Sequence, residues 1–484
     1  MFRNLISKSS LIAKGTTISK QLLFKRPYRI ISSVKSSIKD DPKNSSNPSD
    51  EKISDFKDIE GIEKLMLNKE KPVASYIIQS QKKLRSIYKP SYWIDDLIYK
   101  KKPPIRPNKP PINRKLNLRT MSDSYVEEFL PFKSDPDLLE EYVNPDGGIR
   151  MGKIFENLDL LAAIIAYKHC GNGKEDVSDM TIVTASVDRL DLIKPLSICH
   201  ISYAGYSSME VLIKMEALQD GVFQKLKTNP ETKVQGETLM IARFIMVARD
   251  PYTNRSIQIN PLQLENDYQK KLFQIAEEQK VKKNASAAAA LTILPPTEEE
   301  KLLIHNCYLE YSKYGNKKEK PDHIIRMDET VMESVTFMQP QNRNIYGFVF
   351  GGYLMKLAFE LAVANASVFM RSRPKFTALD EISFRKPVPI GSILCMSSQI
   401  VYAPGSPHKS FQVSVTADVL DIERGKRDTT NVFHFTFICD NPAMEVRRVV
   451  PKTYDELMKY VEGRRRREVG LKLRGLYNEA SKGN

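Results

Sequence analysis

The sequence predicts an α+β protein made of two tandem domains, each a curled antiparallel sheet around a central helix. Residues 152–170 and 351–370 are long apolar segments of helical character. Each is followed by long stretches in which apolar and polar residues alternate, a pattern that indicates antiparallel strands. A helix that is apolar on all sides must be buried on all sides, and a sheet that curls around it achieves this.

The segments that follow the two helices are related in sequence. "TASVDRLDLIKP" in the first copy corresponds to "TALDEISFRKP" in the second, with a shared Thr-Ala start and a shared Lys-Pro end. At 484 residues the chain is also longer than one core usually supports. An internal duplication explains both facts. We expect residues 181–196 to form the strand that follows the first helix.

The predicted domains leave extensions at both ends and a connector between them. We assign the domains to residues 121–261 and 326–450. An alanine-rich stretch, a Pro-Pro pair and a helix that starts with acidic residues make 262–325 a helical linker. Residues 40–120 are interpreted as a partly disordered N-terminal extension, and 451–484 as a basic C-terminal tail.

The net charge of +15 lies largely at the two ends of the chain. Residues 1–39 contain Lys, Arg and Ser but no Asp or Glu, which is typical of a mitochondrial transit peptide and predicts a location in the matrix. The alternative is a disordered basic tail. Hydrophobic residues make up 41% and charged residues 27%, as in soluble globular proteins. No apolar run approaches the roughly 20 residues that cross a bilayer, so we expect no membrane span.

The five cysteines and six histidines are scattered along the chain. The cysteines form no CxxC pair, and the histidines form no cluster with metal-ligand spacing. This pattern favours a reducing compartment and argues against disulfide frameworks and zinc sites.

The segment "NIYGFVFGG" leads directly into the second apolar helix. An asparagine, a glycine and a glycine pair before a helix that a sheet surrounds resemble the hotdog fold of acyl-coenzyme A thioesterases. "IRMGKIFENLDLLAAIIAY" with "VTASVDRLDLIKPL", and "RNIYGFVFGGYLMKLAFELA" with "DEISFRKPVPIGSIL", are similar to that family in both copies. The resemblance covers roughly residues 120–450. It implies two tandem hotdog domains that hydrolyse acyl-CoA to a carboxylic acid and CoA without a metal or redox cofactor.

Gly351 and Gly352 have a physical reason to stand at the start of this helix. Without a Cβ, their N–H groups can approach a ligand closely. The helix N-terminus offers unpaired donors and a partial positive charge where a thioester carbonyl could become an oxyanion. The alternative is a glycine-rich turn that only allows the helix to pack closely.

The resemblance also implies a composite active site, in which the asparagine loop of one hotdog faces an acid on the helix of the other. Asn344, eight residues before Gly352, matches the family asparagine. The family acid follows the second glycine by seven residues, and the residue seven positions after Gly152 is Asp159. Asn344 would orient the carbonyl or the water, and Asp159 would be the general base or, alternatively, a nucleophile that forms an anhydride.

An aspartate in an apolar helix is poorly solvated, so its pKa should rise into a range useful for proton transfer. The alternative for Asp159 is a solvated or ion-paired helix acid near Lys153 or Glu156. A second site could combine Asn144, which lies eight residues before Gly152, with Glu360. Glu360 stands one position later in its helix than Asp159 does, and could instead pair with Lys356. We therefore expect one competent site per chain.

CoA carries phosphate groups, so cationic side chains are expected at the mouth of the site. The candidates are Arg371, Arg373, Arg385 and Lys386, which flank the second-copy strand. The basic C-terminal segment is more simply explained by a solvated face or a nucleic-acid contact than by catalysis.

Acyl-CoA is the expected partner, with CoA as part of the substrate and no separate cofactor. By family analogy, chains of this kind associate into homo-oligomers, of which a trimer is one option, and the sequence does not give the number of chains. A protein of a different class, a non-catalytic acyl-CoA-binding or RNA-associated mitochondrial scaffold, would bind acyl-CoA without releasing CoA. A hotdog hydratase would need a histidine near the start of a central helix, and neither copy has one.

Overall fold

The structure is a computed structural model that describes residues 28–30 and 116–482, with gaps inside the second range. The gaps are 127–128, 131, 133–134, 172–179, 193–199, 206, 218–236, 251–252, 254, 268, 271–272, 275, 278–290, 292, 315–320, 344–347 and 381. The predicted transit peptide and N-terminal extension therefore lie almost entirely outside the described residues. The predicted domain boundaries stay predictions.

The described residues form five α-helices. They are α1 (Pro136–Tyr142), α2 (Met151–Cys170), α3 (Glu298–Tyr314), α4 (Gly351–Met370) and α5 (Tyr454–Lys482). Helices α2 and α4 are the two apolar segments that the sequence singles out, and both are largely buried. By length and composition α4 could cross a membrane, but half of its most apolar stretch is buried inside the protein, as in the core helix of a soluble domain.

The strands fall into two sets, one around each central helix. Before and within the first domain they are β1 (Tyr28–Ile30), β2 (Arg119–Thr120), β3 (Phe129–Leu130), β4 (Thr181–Val187), β5 (Leu190–Leu192), β6 (His200–Ala204), β7 (Ser208–Ala217), β8 (Glu237–Arg249) and β9 (Leu262–Gln263). In the second they are β10 (Ile324–Arg326), β11 (Met332–Phe337), β12 (Lys375–Leu379), β13 (Ile382–Ser383), β14 (Ile393–Tyr402), β15 (Ser410–Leu420), β16 (Arg427–Ile438) and β17 (Arg448–Val450).

One sheet runs through both domains. Its main path is β11-β14-β15-β16-β12-β5-β8-β7-β1-β3, and it changes domain where β12 pairs with β5. A second contact between the domains is the pairing of β13 with β4. Each half of the sheet curls around its own helix, so the hotdog architecture predicted for each copy is present.

The segment 181–196 is not one strand, contrary to the sequence-based expectation. It breaks after Val187, and β5 resumes at Leu190. The reason is pairing: β4 lies between β8 and β13, whereas β5 lies between β8 and β12. The second copy breaks in the same way between β12 and β13, so the two breaks together form the seam between the domains.

The two halves correspond residue by residue near the central helices. Val143 forms an isolated bridge with Ile149, and Arg343, 200 positions later, forms one with Val349. The first strands after the helices correspond with an offset of 192. Both carry a register shift at the same point, between Thr184 and Ser186 and between Phe376 and Ala378.

The basic C-terminal segment forms the helix α5, and the first part of this helix packs on the fold. Tyr460 of α5 is buried against the Tyr402 ring, with 4.7 Å between the ring centroids. Arg465 donates from Nε to Glu300 of α3 at 2.6 Å, and Arg467 donates to Ser410 at 2.9 Å. Both arginines therefore have partners within the protein.

Candidate active site

Asp159 of α2 meets the first residues of α4. Its side chain is buried, with 1% of the residue exposed. One carboxylate oxygen, Oδ1, accepts a hydrogen bond from the Thr184 hydroxyl at 2.7 Å. The other, Oδ2, accepts one from the Gly352 backbone N–H at 2.6 Å. The structure thus brings together Asp159 of the first domain and the glycine pair of the second, as the composite site requires.

The glycine pair allows this contact because the two helices touch there. A Cβ on Gly352 would lie 2.8 Å from the Cα of Glu156, a distance that real side chains essentially never reach, and 3.0 Å from the Cβ of Asp159, which is tighter than most real contacts. A Cβ on Gly351 would lie 3.0 Å from Asp159 Oδ2 and 3.4 Å from the Phe384 ring. The Asp159 carboxylate and the Phe384 ring therefore flank Gly351 closely, and the surface of Gly351 between them is called the recess below.

Burial raises the pKa of Asp159 from 3.8 to about 6, and the hydrogen bonds from Thr184 and Gly352 oppose the rise. The carboxyl group is then ionised at neutral pH but is a stronger base than an exposed aspartate. The alternative of a solvated or ion-paired helix acid does not describe this residue, since Lys153 lies against Glu141 and Glu156 instead.

The two glycine amides have different partners. The Gly352 N–H is bonded to Asp159. Gly351 is the first residue of α4, so its N–H has no acceptor within the helix, and none is present among the described residues. Of the two amides proposed to hold an oxygen, the Gly351 N–H is the one that remains available beside the carboxylate.

Asn344 lies outside the described residues, so its role stays a prediction. The chain on either side of that gap is held beside the start of α4. Before the gap, the Asn342 carbonyl accepts a hydrogen bond from the Phe350 N–H at 3.1 Å. After it, the Val349 N–H donates to the Val388 carbonyl at 2.9 Å.

Thr184 is a polar contact of the site that sequence reasoning missed. It is the first residue of the "TASVDRLDLIKP" segment, and the repeat alignment assigned it no role. The register shift next to it turns its hydroxyl toward α2. A threonine 25 residues after Asp159 is too common in strands to have indicated this contact from the sequence.

The corresponding position of the other half has no carboxylate. Phe359 stands 200 positions after Asp159. By strand register the counterpart of Thr184 is Phe376, one residue before the Thr377 that the shared Thr-Ala start indicated. Their rings pack edge to face with 5.1 Å between centroids. The acid and hydroxyl of one half are therefore replaced by two aromatic rings in the other.

The residues named for a second site are bonded elsewhere. Glu360 Oε1 accepts hydrogen bonds from Arg150 Nε at 3.0 Å and Nη2 at 2.5 Å. Lys356, its expected alternative partner, bonds Glu156 at 3.2 Å. Asn144 Oδ1 accepts from the backbone N–H groups of Asp146 and Gly148 in its own loop. The structure gives Asn144 and Glu360 no contact with each other, and the second site stays a prediction.

The four candidate CoA contacts divide between the two ends of α4. A helix of 20 residues is about 30 Å long, and Arg371 follows its last residue, far from Gly351. Arg373 is paired with Asp146. Lys386 and Arg385 follow Phe384 beside Gly351, and Lys386 bonds Asp428 at 2.5 Å. Arg385 is exposed, and the described residues offer it no ion pair.

No group of three or more His, Cys, Asp or Glu side chains that could hold a metal ion lies among the residues described. Four of the cysteines, Cys170, Cys307, Cys395 and Cys439, are free and buried. The chemistry available at this site is that of a carboxylate base, a helix N-terminus and a hydroxyl.

Comparisons with known proteins identify the family of this chain. Residues 346–407 match the Thioesterase superfamily. The chain is 36% identical over 359 residues to acyl-coenzyme A thioesterase 9, mitochondrial, of Bos taurus, across 72% of this chain and 78% of the bovine protein. It is 33% identical over 374 residues to acyl-coenzyme A thioesterase 4, mitochondrial, of Humulus lupulus, across 73% and 68%.

Among solved structures, an acyl-CoA hydrolase from Staphylococcus aureus in complex with butyryl-CoA and CoA is 22% identical with a TM-score of 0.30. That match covers 33% of this chain and 97% of that one. An apo-hexameric acyl-CoA thioesterase is 20% identical with a TM-score of 0.29, covering 32% and 98%. The oligomer expected for this chain stays a prediction.

Proposed function

This chain belongs to the acyl-CoA thioesterase family and hydrolyses acyl-CoA thioesters to a carboxylic acid and CoA, and we propose that Asp159 is the general base of that reaction. The observation that carries the proposal is the buried Asp159 carboxylate against the start of α4. A base with a pKa near 6 takes a proton from water more readily than an ordinary aspartate.

The proposed reaction uses water as its only co-reactant and needs no cofactor. Asp159 takes a proton from a water molecule while the oxygen of that water attacks the thioester carbonyl carbon. The carbonyl oxygen becomes an oxyanion beside the Gly351 N–H, where the α4 N-terminus stabilises negative charge. The C–S bond then breaks, and the protonated Asp159 returns its proton to the departing CoA sulfur. Thr184 and the Gly352 N–H orient the carboxylate, and Asn344 orients the carbonyl or the water.

Turnover distinguishes this function from that of a binding protein. The purified chain, incubated with a panel of acyl-CoAs and a thiol reagent, should release free CoA in proportion to enzyme and time. Release is expected for at least one acyl length, and a mass spectrum should show the matching carboxylic acid. Tight acyl-CoA binding with no CoA release for any member of the panel would instead favour the non-catalytic scaffold.

We propose that Arg385 is the CoA phosphate contact of this site. Its exposed guanidinium follows Phe384, which borders the recess above Gly351. Arg385→Ala should raise KM about three- to tenfold and leave kcat nearly unchanged, because it removes binding rather than chemistry. Arg371→Asn at the far end of α4 is the matched control and keeps a residue that tolerates the left-handed backbone there. Equal effects of the two variants on KM would refute this assignment.

We propose that the enzyme acts in the mitochondrial matrix. Bovine and human relatives are named mitochondrial, and residues 1–39 have the composition of a transit peptide. Removal of residues 1–39 should abolish import into isolated mitochondria and leave hydrolysis of acyl-CoA in solution intact. Import of the shortened chain at the rate of the full chain would show that the targeting signal lies elsewhere in the sequence.

A further inference from the structure

The recess above Gly351 has a wall that the proposed mechanism does not use. Phe384 lies in the second domain, just after β13, and its ring edge borders the position where a Cβ on Gly351 would stand. The same position lies 3.0 Å from Asp159 Oδ2. The ring and the carboxylate therefore flank Gly351 on two sides.

Phe384 is held in this place by the seam between the domains. Its backbone N–H donates to the Ala185 carbonyl at 2.9 Å, one residue along the chain from Thr184. Ser383, the residue before it, pairs with Ser186 of β4. Its ring also packs on Phe433 with 6.4 Å between centroids. The first domain therefore holds the Phe384 backbone, and the second domain holds its ring.

We propose that Phe384 is a positioning residue for hydrolysis, whose ring closes the recess beside Asp159 to bulk water and places the thioester against the Gly351 amide. The proposal rests on the function proposed for Asp159. Phe384 is half-buried, so its ring forms the boundary between the recess and solvent. An apolar wall at that boundary leaves only the substrate and the attacking water in contact with the carboxylate.

The electrostatics of the site agree with this role. Burial is the largest cause of the raised pKa of Asp159, and no charged neighbour is among the causes. Among the charged side chains of α2 and α4, Glu156 bonds Lys356, and Glu360 bonds Arg150. Arg385, next to Phe384, is exposed. The Phe384 ring can therefore influence the pKa of Asp159 by excluding water from the carboxylate.

The test is the pH profile of kcat/KM. Asp159 is active when ionised, so the wild-type rate should rise with pH through a value near 6. Phe384→Ser admits water, which should lower the pKa of Asp159. The rise of kcat/KM at acid pH, called the acid limb, should then shift to lower pH by about half a unit or more. The plateau rate should fall about tenfold, because the base is weaker and the substrate is less well placed. Phe384→Leu, which keeps an apolar wall, should hold the limb at its wild-type position.

Phe337→Ser on the exposed face of β11 is the control for loss of a phenyl ring, and should change neither limb nor plateau. Should Phe384→Ser fail to fold, as judged by thermal unfolding, Phe384→Ala is measured in the same way. A folded Ser or Ala variant with an unmoved acid limb would overturn the proposal. Asp159→Asn distinguishes failure of the Phe384 proposal from failure of the proposed function. If that variant keeps the wild-type acid limb and rate, Asp159 is not the base.

Discussion

Asp159→Asn is expected to lower kcat by about a hundredfold or more. The change keeps the size of the side chain but removes the group that accepts a proton from water. Initial rates with a saturating acyl-CoA, measured near pH 8, test this prediction. The pH is chosen above the pKa of about 6, where the wild-type carboxylate is fully ionised.

Glu360→Gln is the matched control, because it removes a carboxylate from the same region of the other central helix. Glu360 pairs with Arg150 at the surface, and its loss should change kcat only several-fold. If Glu360→Gln were inactive and Asp159→Asn turned over normally, the composite site would have been assigned to the wrong pair of hotdogs. The working site would then be built around Glu360 and the Asn144 loop.

Asp159→Asn should also change the free energy of unfolding in a pH-dependent way. The folded-state pKa of Asp159 is raised, so folding favours the protonated form, and the wild type loses stability as pH rises from about 4 to 6. Asparagine does not titrate. The free energy of unfolding of Asp159→Asn relative to wild type should therefore rise by about 3 kcal/mol over that range and stay constant above it. A pH-independent difference would mean that Asp159 is not a buried ionisable group.

Gly352→Ala is expected to destabilise the protein and to inactivate it. The added methyl would stand 2.8 Å from the Glu156 Cα, which is backbone-bound and cannot rotate away. Separating α2 from α4 should cost about 1–3 kcal/mol and draw the Gly352 N–H away from Asp159. We expect a melting temperature lower by several degrees and a kcat lower by about tenfold or more.

Gly152→Ala is the control at the equivalent position of the other half. There the new methyl would meet Lys356 Cγ at 3.0 Å, a flexible side chain that can turn aside. Alanine also favours helix over glycine by up to about 1 kcal/mol, so this variant should be as stable as the wild type or slightly more so. Equal losses in the two alanine variants would show that close packing at Gly352 is not specific to the Asp159 site.

The architecture was predictable because it depends on patterns that occur within short windows. Two apolar helices and the alternating strands after them indicated the two wrapped helices, and the repeat indicated their duplication. The break after Val187 was not predictable, because it depends on which strands pair across the seam. That pairing joins residues almost 200 positions apart, and no local pattern records it.

The candidate site was predictable in part for a similar reason. Asp159 and the glycine pair were located by counting from a family motif, and the structure brings them together. Thr184 was missed because the direction of its hydroxyl depends on a register shift in β4. The Arg150 contact of Glu360 was missed because the two residues lie 210 positions apart. The direction of a side chain and its contacts with residues distant in sequence depend on how the whole chain packs.

The pairing of Phe359 with Phe376 shows what a tandem chain permits. A symmetric pair of identical chains must carry the same residue in both halves, because one gene encodes both. A fused chain is free of that requirement. One half can keep an ionisable group whose burial costs about 3 kcal/mol, while the other places there an aromatic pair that contributes about 0.5–1.5 kcal/mol beyond its buried area. The fusion thus allows one half to carry the catalytic carboxylate and the other half to carry an aromatic contact that stabilises the fold.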